Sequence, residues 1–154
     1  GVMYANGSGV PEDDTEAVHW FRLAADQGYD VAQFNLGKKF TFGEGVPEDD
    51  AEAVRWFRLA ADQGYANAQY WLGEANYVSR KFPEAAEEFQ KVVNDFPDSP
   101  KVPDAMLKLG FTYYELQKWD DARRTLEHVR KQYPDSTAAQ LAETRLRRMR
   151  KEGH

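Results

Sequence analysis

A stretch of 21 residues occurs twice in this chain with almost no change. Residues 9–29 are GVPEDDTEAVHWFRLAADQGY and residues 45–65 are GVPEDDAEAVRWFRLAADQGY, so the copies lie 36 residues apart and differ at two positions. A period of about 20 to 50 residues indicates a repeat architecture, in which each unit contacts only its neighbours. The chain is therefore expected to form a repeat array, which excludes most folds built around one central core.

The second half of the chain has a repeat of its own. The segment that begins at Leu72 aligns with the segment that begins at Leu109, which is 37 residues later. One register runs through both halves, because the same repeat position is occupied in turn by Leu36, Leu72, Leu109 and Leu146. The residue that follows is Gly37, Gly73, Gly110 and finally Arg147.

Each repeat is predicted to be a pair of helices. Apolar residues recur three or four positions apart, as in Ala53, Trp56 and Ala60, and strand-type alternation is absent. We therefore predict an all-α, right-handed superhelical solenoid of antiparallel helix pairs with a C-terminal capping helix. The predicted helices span residues 12–27, 30–42, 48–63, 66–79, 82–95, 101–117, 119–132 and 137–150, after an opening segment that supplies only the end of a helix.

Several residues are predicted to set the helix ends and to fill the core. Pro11 and Pro47 are placed in first helical turns, where a missing N–H is tolerated, and the acids that follow each proline suit the helix N-terminus. Gly28 and Gly64 are expected to end helices in a left-handed conformation. The four tryptophans are expected to be mostly core or inter-helix filling: Trp20, Trp56, Trp71 and Trp119.

Charge and cysteine content exclude several function classes. Residues 1–72 carry 12 acidic and 5 basic side chains, and residues 73–154 carry 14 and 15, so neither half is basic enough to indicate a nucleic-acid binder. The chain has no cysteine, which excludes disulfides, thiolate catalysis and cysteine zinc sites. The sequence starts at Gly1 and shows no signal peptide, so we expect a trimmed chain, and its compartment stays open.

The first half resembles Sel1-like repeats. The residues that carry the resemblance are Ala32, Leu36, Gly37, Gly43, Gly45, Val46, Ala53, Trp56, Ala60, Ala61, Gln63, Gly64 and Ala68. The second half resembles tetratricopeptide repeats through Leu72, Gly73, Ala85, Phe89 and Pro97 in one unit and Leu109, Gly110, Tyr113, Ala122 and Pro134 in the next. Asn76 departs from the tetratricopeptide pattern, which has an aromatic residue there.

Residues 70–148 resemble, more narrowly, the C-terminal domain of the periplasmic Tol-Pal system cell-division coordinator family. Members of that family carry a signal peptide and a trimerising coiled coil, and this sequence shows neither. We predict Sel1-like repeats over 1–72, a shared junction helix over 66–79, and tetratricopeptide repeats with a capping helix over 70–150. The arrangement favours an engineered fusion of two repeat families, and a natural mosaic stays open as the alternative.

No set of residues in the sequence indicates catalysis, a cofactor or a metal site. His19 stands where the next repeat has Arg55, while His128 lies among charged residues and His154 is terminal. A catalytic or metal site needs several such groups brought together in one pocket. We therefore expect a non-enzymatic scaffold or protein-interaction module whose partners are proteins or peptides rather than nucleic acid, and which does not insert into membranes.

The resemblance to tetratricopeptide repeats implies a concave groove that binds a peptide or a helix. Its positions in this sequence are Asn67, Tyr70, Glu74, Tyr77, Asp104, Leu107, Phe111, Tyr114 and Glu115. The aromatic members are also compatible with packing between adjacent helices, and this alternative stays open. The resemblance to the Tol-Pal coordinator domain implies a ligand from the division machinery of the cell envelope. Self-association through the N-terminal end is a further possibility, because that end is expected to be apolar.

Overall fold

The structure is a computed structural model that describes residues 1–9 and 12–154. Every regular element in these residues is an α-helix. The helices are α1 (Val2–Asn6), α2 (Asp14–Ala25), α3 (Asp30–Phe42), α4 (Asp50–Asp62), α5 (Ala66–Val78), α6 (Phe82–Asp95), α7 (Val102–Glu115), α8 (Trp119–Gln132) and α9 (Thr137–Glu152). The all-α prediction is confirmed, and the repeats are helical hairpins.

The chain divides into two compact units. Unit 1 is Gly1–Leu72 and unit 2 is Gly73–His154, so the division falls within helix α5. In unit 1, α3 packs against both α2 and α4, and in unit 2, α7 packs against α6, α8 and α9. Each unit is therefore a set of neighbouring hairpins, as a local repeat pattern requires.

The core of unit 1 is built from one face of each helix. Phe21 of α2, Leu36 of α3 and Phe57 of α4 belong to one buried cluster, and Leu72 from the first part of α5 joins it. Trp56 of α4 is also buried in this cluster, at 5% exposure. Successive turns of each helix thus supply the apolar side chains that hold the hairpins together.

The first helix of each hairpin carries a glycine that lets the second helix approach closely. A Cβ atom at Gly37 would lie 2.7 Å from the ring of Phe57, and one at Gly73 would lie 2.7 Å from the ring of Phe89. Gly110 has the same relation to Leu126. At the equivalent position of helix α9, Arg147 is exposed.

Two helices begin later than predicted because an aspartate caps each of them. Asp13 and Asp49 precede α2 and α4, and the side chain of each accepts a hydrogen bond from a backbone N–H three residues later. Pro47 therefore lies outside α4, and its predicted place in the first turn is wrong, since N-cap satisfaction by Asp49 fixes the start. The same prediction for Pro11 lies outside the described residues.

The two units end their first helices differently. In unit 1, Gly43 ends α3 with a left-handed φ of 66°. In unit 2, Arg80 and Gln117 occupy the turns after α5 and α7, each with a φ of 58°. Residues other than glycine rarely adopt this conformation.

Trp20 corrects the prediction that all four tryptophans fill the core. Trp56 is buried and Trp71 and Trp119 are half-buried, but Trp20 is 45% exposed. The difference follows from the neighbouring helices, because α4 packs along the 13-residue α3, whereas α2 packs along the five-residue α1. The Trp20 indole donates a hydrogen bond to Glu16 at 2.8 Å, which suits a partly hydrated ring.

Candidate protein-interaction surface

The structure distributes the nine predicted groove residues over both units. Asn67 and Tyr70 lie in the part of α5 that belongs to unit 1, and both are half-buried. The seven others lie in unit 2: Glu74 and Tyr77 on α5, and Asp104, Leu107, Phe111, Tyr114 and Glu115 on α7. The surface described below is therefore confined to unit 2.

Leu107 does not contribute to an open surface as predicted, whereas Asp104 is partly exposed. Leu107 is 4% exposed and belongs to the buried cluster of unit 2, so its predicted role as a groove residue is wrong. It lies on the face of α7 that packs into the hydrophobic core. Asp104 lies 3.8 Å from Lys101 within the first turn of α7, where an acid suits the helix N-terminus.

An aromatic pair recurs at the end of each hairpin's first helix. Tyr77 of α5 contacts Phe82 edge to face at 5.5 Å between ring centroids, and Tyr114 of α7 contacts Trp119 in the same way at 5.1 Å. The two pairs are related by the 37-residue repeat. Both alternatives for these rings therefore have some support, because each ring packs on its own hairpin and is nonetheless only partly buried.

Cations lie over these rings. The Lys108 ammonium group lies 5.6 Å from the Tyr77 centroid, and it also pairs with a carboxylate oxygen of Glu74 at 2.8 Å. The Arg145 guanidinium, on α9, lies 4.3 Å from the Phe111 centroid and 4.7 Å from the Tyr114 centroid. Such cation–ring contacts contribute about 0.5–1 kcal/mol at exposed sites. We call Tyr77, Lys108, Phe111, Tyr114 and Arg145 the aromatic–cationic surface.

A polar network flanks this surface at the end of α9. The Tyr114 hydroxyl donates a hydrogen bond to Glu152 at 2.6 Å, and Arg148 donates to the other oxygen of Glu152 at 2.7 Å. The hydrogen bond to Glu152 raises the pKa of the Tyr114 hydroxyl, and the bonds from Tyr114 and then Arg148 lower the pKa of the Glu152 carboxyl. This network orients the Tyr114 ring against α9.

The Tyr77 hydroxyl is influenced by charged side chains of both α7 and α9. Partial burial, followed by the nearby Glu115 carboxylate, raises the pKa of its hydroxyl, while the positive charge of Arg145 opposes the rise. At neutral pH the hydroxyl is therefore a neutral donor and acceptor. The chemistry that this surface offers is ring stacking, hydroxyl hydrogen bonding and positive charge.

The other candidate groups do not converge. His19 and His128 are exposed and lie in different units, and His154 stacks on Trp119 with ring centroids 3.8 Å apart. Within residues 1–9 and 12–154, no group of three or more histidine and acidic side chains is placed to hold a metal ion. The same residues include no helix with the length and apolar character that a bilayer-spanning segment needs.

Family models match the chain in both halves. The Sel1 repeat model matches residues 1–29 and 30–65, and two tetratricopeptide repeat models match residues 49–100 and 104–136. Both repeat families match this chain. The Sel1 and tetratricopeptide matches overlap over residues 49–65, which contain all of α4.

Solved structures share this fold. A Sel1 repeat protein from Oxalobacter formigenes is 26% identical with a TM-score of 0.67 over 82% of this chain and 52% of its own. A protective antigen of uropathogenic Escherichia coli with an SLR fold is 27% identical with a TM-score of 0.59, covering 99% of this chain and 40% of its own. The chain thus spans about half the length of these Sel1-type structures, or less.

A third structure, MamA, matches in fold alone, with 22% identity and a TM-score of 0.64 over 84% of this chain and 78% of its own. No curated protein sequence matches the chain. The structural matches, together with the two families of repeats, confirm the predicted fold class of Sel1-like and tetratricopeptide-like helical hairpins.

Sequence reasoning missed the cations of the surface. The resemblance selected positions on α5 and α7 only, and neither Lys108 nor Arg145 is among them. The signal was present in the repeat register, because Arg145 stands 37 residues after Lys108 and thus faces the preceding first helix. A residue-by-residue comparison of the last helix with α7 would have placed Arg145 beside Phe111 and Tyr114.

Proposed function

We propose that this chain is a non-enzymatic helical-repeat scaffold that binds a peptide or a helix of another protein on unit 2. The observation that supports this most is the aromatic–cationic surface, where partly exposed rings of α5 and α7 lie beside the charged ends of Lys108 and Arg145. Rings with adjacent hydrogen-bonding and charged groups suit recognition of a protein segment. The two repeat families that match the chain support an interaction role.

Selection from a random dodecapeptide library displayed on phage, against the intact immobilised chain, tests this function. Peptides that bind the aromatic–cationic surface are expected to bind the Tyr77→Ala variant more weakly, because the Tyr77 ring supplies part of the contact area. Tyr29→Ala is the matched control, since Tyr29 is 62% exposed and lies in unit 1. Helical circular dichroism must match between the variants and the parent. Selected peptides that bind Tyr77→Ala as well as they bind the parent would place the interaction elsewhere.

We also propose that α5 joins the two repeat families, and that the chain is an engineered fusion through this shared helix. The proposal is supported by the near-identity of the first two repeats, by the divergence of the later ones, and by the unbroken leucine register from Leu36 to Leu146. Helix α5 extends from Ala66 to Val78 across the unit division. Repeat proteins tolerate such joining because their contacts are local.

The alternative is a natural periplasmic adaptor that binds a peptide or a helix of the Tol-Pal division machinery. It is supported by the resemblance of residues 70–148 to the coordinator domain of that system. Titration of the intact chain with purified periplasmic components of a Tol-Pal system, followed by calorimetry, distinguishes the two. Saturable binding that Tyr77→Ala abolishes would favour the adaptor, and no measurable heat would favour the fusion.

A further inference from the structure

Helices α7 and α9 carry equivalent cations that have different partners on the preceding first helix. Lys108 and Arg145 stand 37 residues apart at one repeat position, and each lies over the tyrosine of the preceding first helix. The Lys108 ammonium group also forms an ion pair with a carboxylate oxygen of Glu74 on that preceding helix, at 2.8 Å. The residue equivalent to Glu74 for Arg145 is Phe111. Arg145 therefore stacks on the Phe111 ring at the repeat position where Lys108 pairs with the Glu74 carboxylate.

Arg145 is left with its charge unpaired. Helix α9 has three other arginines, and each pairs with a glutamate: Arg147 at 2.9 Å and Arg150 at 3.4 Å with Glu143, and Arg148 at 2.7 Å with Glu152. Arg145 contacts the rings of Phe111 and Tyr114, and no ion pair is found for it within the described part of the chain. It is half-buried, so its guanidinium is held in place and still accessible.

A stacked arginine is suited to a carboxylate. The planar guanidinium uses its face for the rings and keeps its N–H edge for a bidentate acceptor, whereas a lysine offers only a point charge. Because Phe111 and Tyr114 already restrict its rotamers, less side-chain entropy is lost when a ligand binds. Glu115 lies close enough to act on Tyr77 and Arg148, and its negative charge disfavours a doubly charged phosphate more than a single carboxylate.

We propose that the partner segment supplies an aspartate or glutamate carboxylate to Arg145, which pairs with it as Glu74 pairs with Lys108. This inference rests on the proposed function and narrows it, because it states that the bound peptide is acidic at one defined position. The Phe111 and Tyr114 rings then contact the residues that flank the acid. The ligand carboxylate thus pairs with Arg145, whereas Lys108 has its carboxylate partner, Glu74, within the chain.

The experiment uses the dodecapeptides selected on the intact chain, synthesised with a fluorescent label and measured by anisotropy. We expect the selected pool to be enriched in aspartate and glutamate over the unselected library. Replacing the acid by its amide in one peptide is expected to weaken binding about tenfold or more, as loss of a charged hydrogen bond predicts. Arg145→Gln is expected to weaken the acidic peptide by a similar factor and to leave the amide peptide unchanged.

Two further variants test the geometry. Phe111→Glu restores the carboxylate that Glu74 provides in the first hairpin, so Arg145 becomes paired within the chain and acidic peptides are expected to lose affinity although the arginine remains. Glu115→Gln removes a competing negative charge and is expected to strengthen binding. Arg147→Gln is the matched control on the same helix, since Arg147 pairs with Glu143, and it is expected to leave the affinity unchanged.

The outcomes separate this inference from the proposed function. If selected peptides depend on Tyr77 but tolerate both the amide replacement and Arg145→Gln, the surface binds peptides and the carboxylate assignment is wrong. Tighter binding of a phosphoserine peptide than of its aspartate counterpart would also overturn the assignment. If no selected peptide depends on Tyr77, the proposed function fails, and this inference fails with it. Arg145→Gln changes only a partly exposed side chain, so it tests the carboxylate assignment even if the Phe111→Glu variant is unstable.

Discussion

Glycine at one repeat position shows how a single missing side chain sets the distance between two helices. Gly37, Gly73 and Gly110 lie inside first helices, where glycine costs about 1 kcal/mol relative to alanine. The cost is offset because the ring of Phe57 or Phe89, or the Leu126 side chain, occupies the space of the absent Cβ. The residue type follows from packing and not from helix propensity.

Gly73→Ala is expected to destabilise unit 2 although alanine is the better helix former. A Cβ there would lie 2.7 Å from Phe89, which is fully buried and cannot yield without displacing its neighbours. Overpacking of this kind typically costs about 1–3 kcal/mol. Urea unfolding followed by circular dichroism measures the change. Arg147→Ala, at the equivalent and exposed position of α9, should stay within about 0.5 kcal/mol. A Gly73→Ala protein that is more stable than the parent would contradict the close packing of Phe89 against Gly73.

At the residue scale, the sequence predicts side chains whose surroundings are the same in every repeat, and it fails where the neighbouring helix differs. The buried positions of the repeat follow from spacing alone, as with Leu36 and Leu72. Leu107 was assigned to the groove because the resemblance transfers a position but not the rotation of this particular helix. Trp20 was assigned to the core from its counterpart Trp56, although the helix beside it is shorter. Arg145 required knowledge of which helix lies next to α9.

An acid on helix α9, Glu143, forms ionic contacts both within α9 and with α8. Glu143 accepts hydrogen bonds from Arg130 at 2.7 Å and from Arg147 at 2.9 Å. These bonds lower the pKa of the Glu143 carboxyl from 4.5 to about 2. The folded form therefore favours the ionised carboxylate, and its stabilising contribution is present above the ordinary pKa and is lost as the pH falls toward 2.

The acid dependence of unfolding is expected to change in Glu143→Gln. In the parent protein, stability should fall between about pH 4.5 and pH 2 in part because Glu143 becomes protonated. The variant lacks that contribution, so its profile should be flatter in this range, and added salt should reduce the difference between the two proteins. Urea midpoints measured from pH 2 to pH 6 provide the test. Glu127→Gln, on α8 outside this cluster, should retain the parent profile.

Helix boundaries were predicted best where the chain has a single strong signal. The bounds of α3, α6 and α8 agree with prediction, since glycine or the motif containing Pro97 or Pro134 fixes their ends. The starts of α2 and α4 were placed two residues early, because Asp13 and Asp49 compete with the preceding prolines and give the better N-cap. The left-handed turns at Arg80 and Gln117 had no sequence signal, because glycine is absent there.

At the scale of the whole molecule, the position of Leu72 is the informative one. It is 3% exposed in the core of unit 1, it is the last residue of that unit, and it lies within α5. A change there should weaken the part of α5 that unit 1 uses. The proposal of a shared helix predicts that the consequences extend to the cooperativity of the whole chain.

Leu72→Ala is expected to cost about 2–5 kcal/mol, because a buried leucine leaves a cavity. We also expect the parent protein to unfold in one transition and this variant to unfold in two. Trp20, Trp56 and Trp71 lie in unit 1, so in a Trp119→Phe background tryptophan fluorescence reports on unit 1 while circular dichroism reports on all helices. Leu141→Ala, at a residue that is 47% exposed, serves as the control. One transition with an unchanged midpoint would show that α5 is not a junction.

The arginine at position 147 determines how this protein could be lengthened. In the other hairpins the second helix packs against the first at the short spacing that glycine allows, whereas α9 carries an arginine at the equivalent position. Designers who wish to extend the array would have to exchange this residue for glycine and neutralise the surrounding charge before appending new modules.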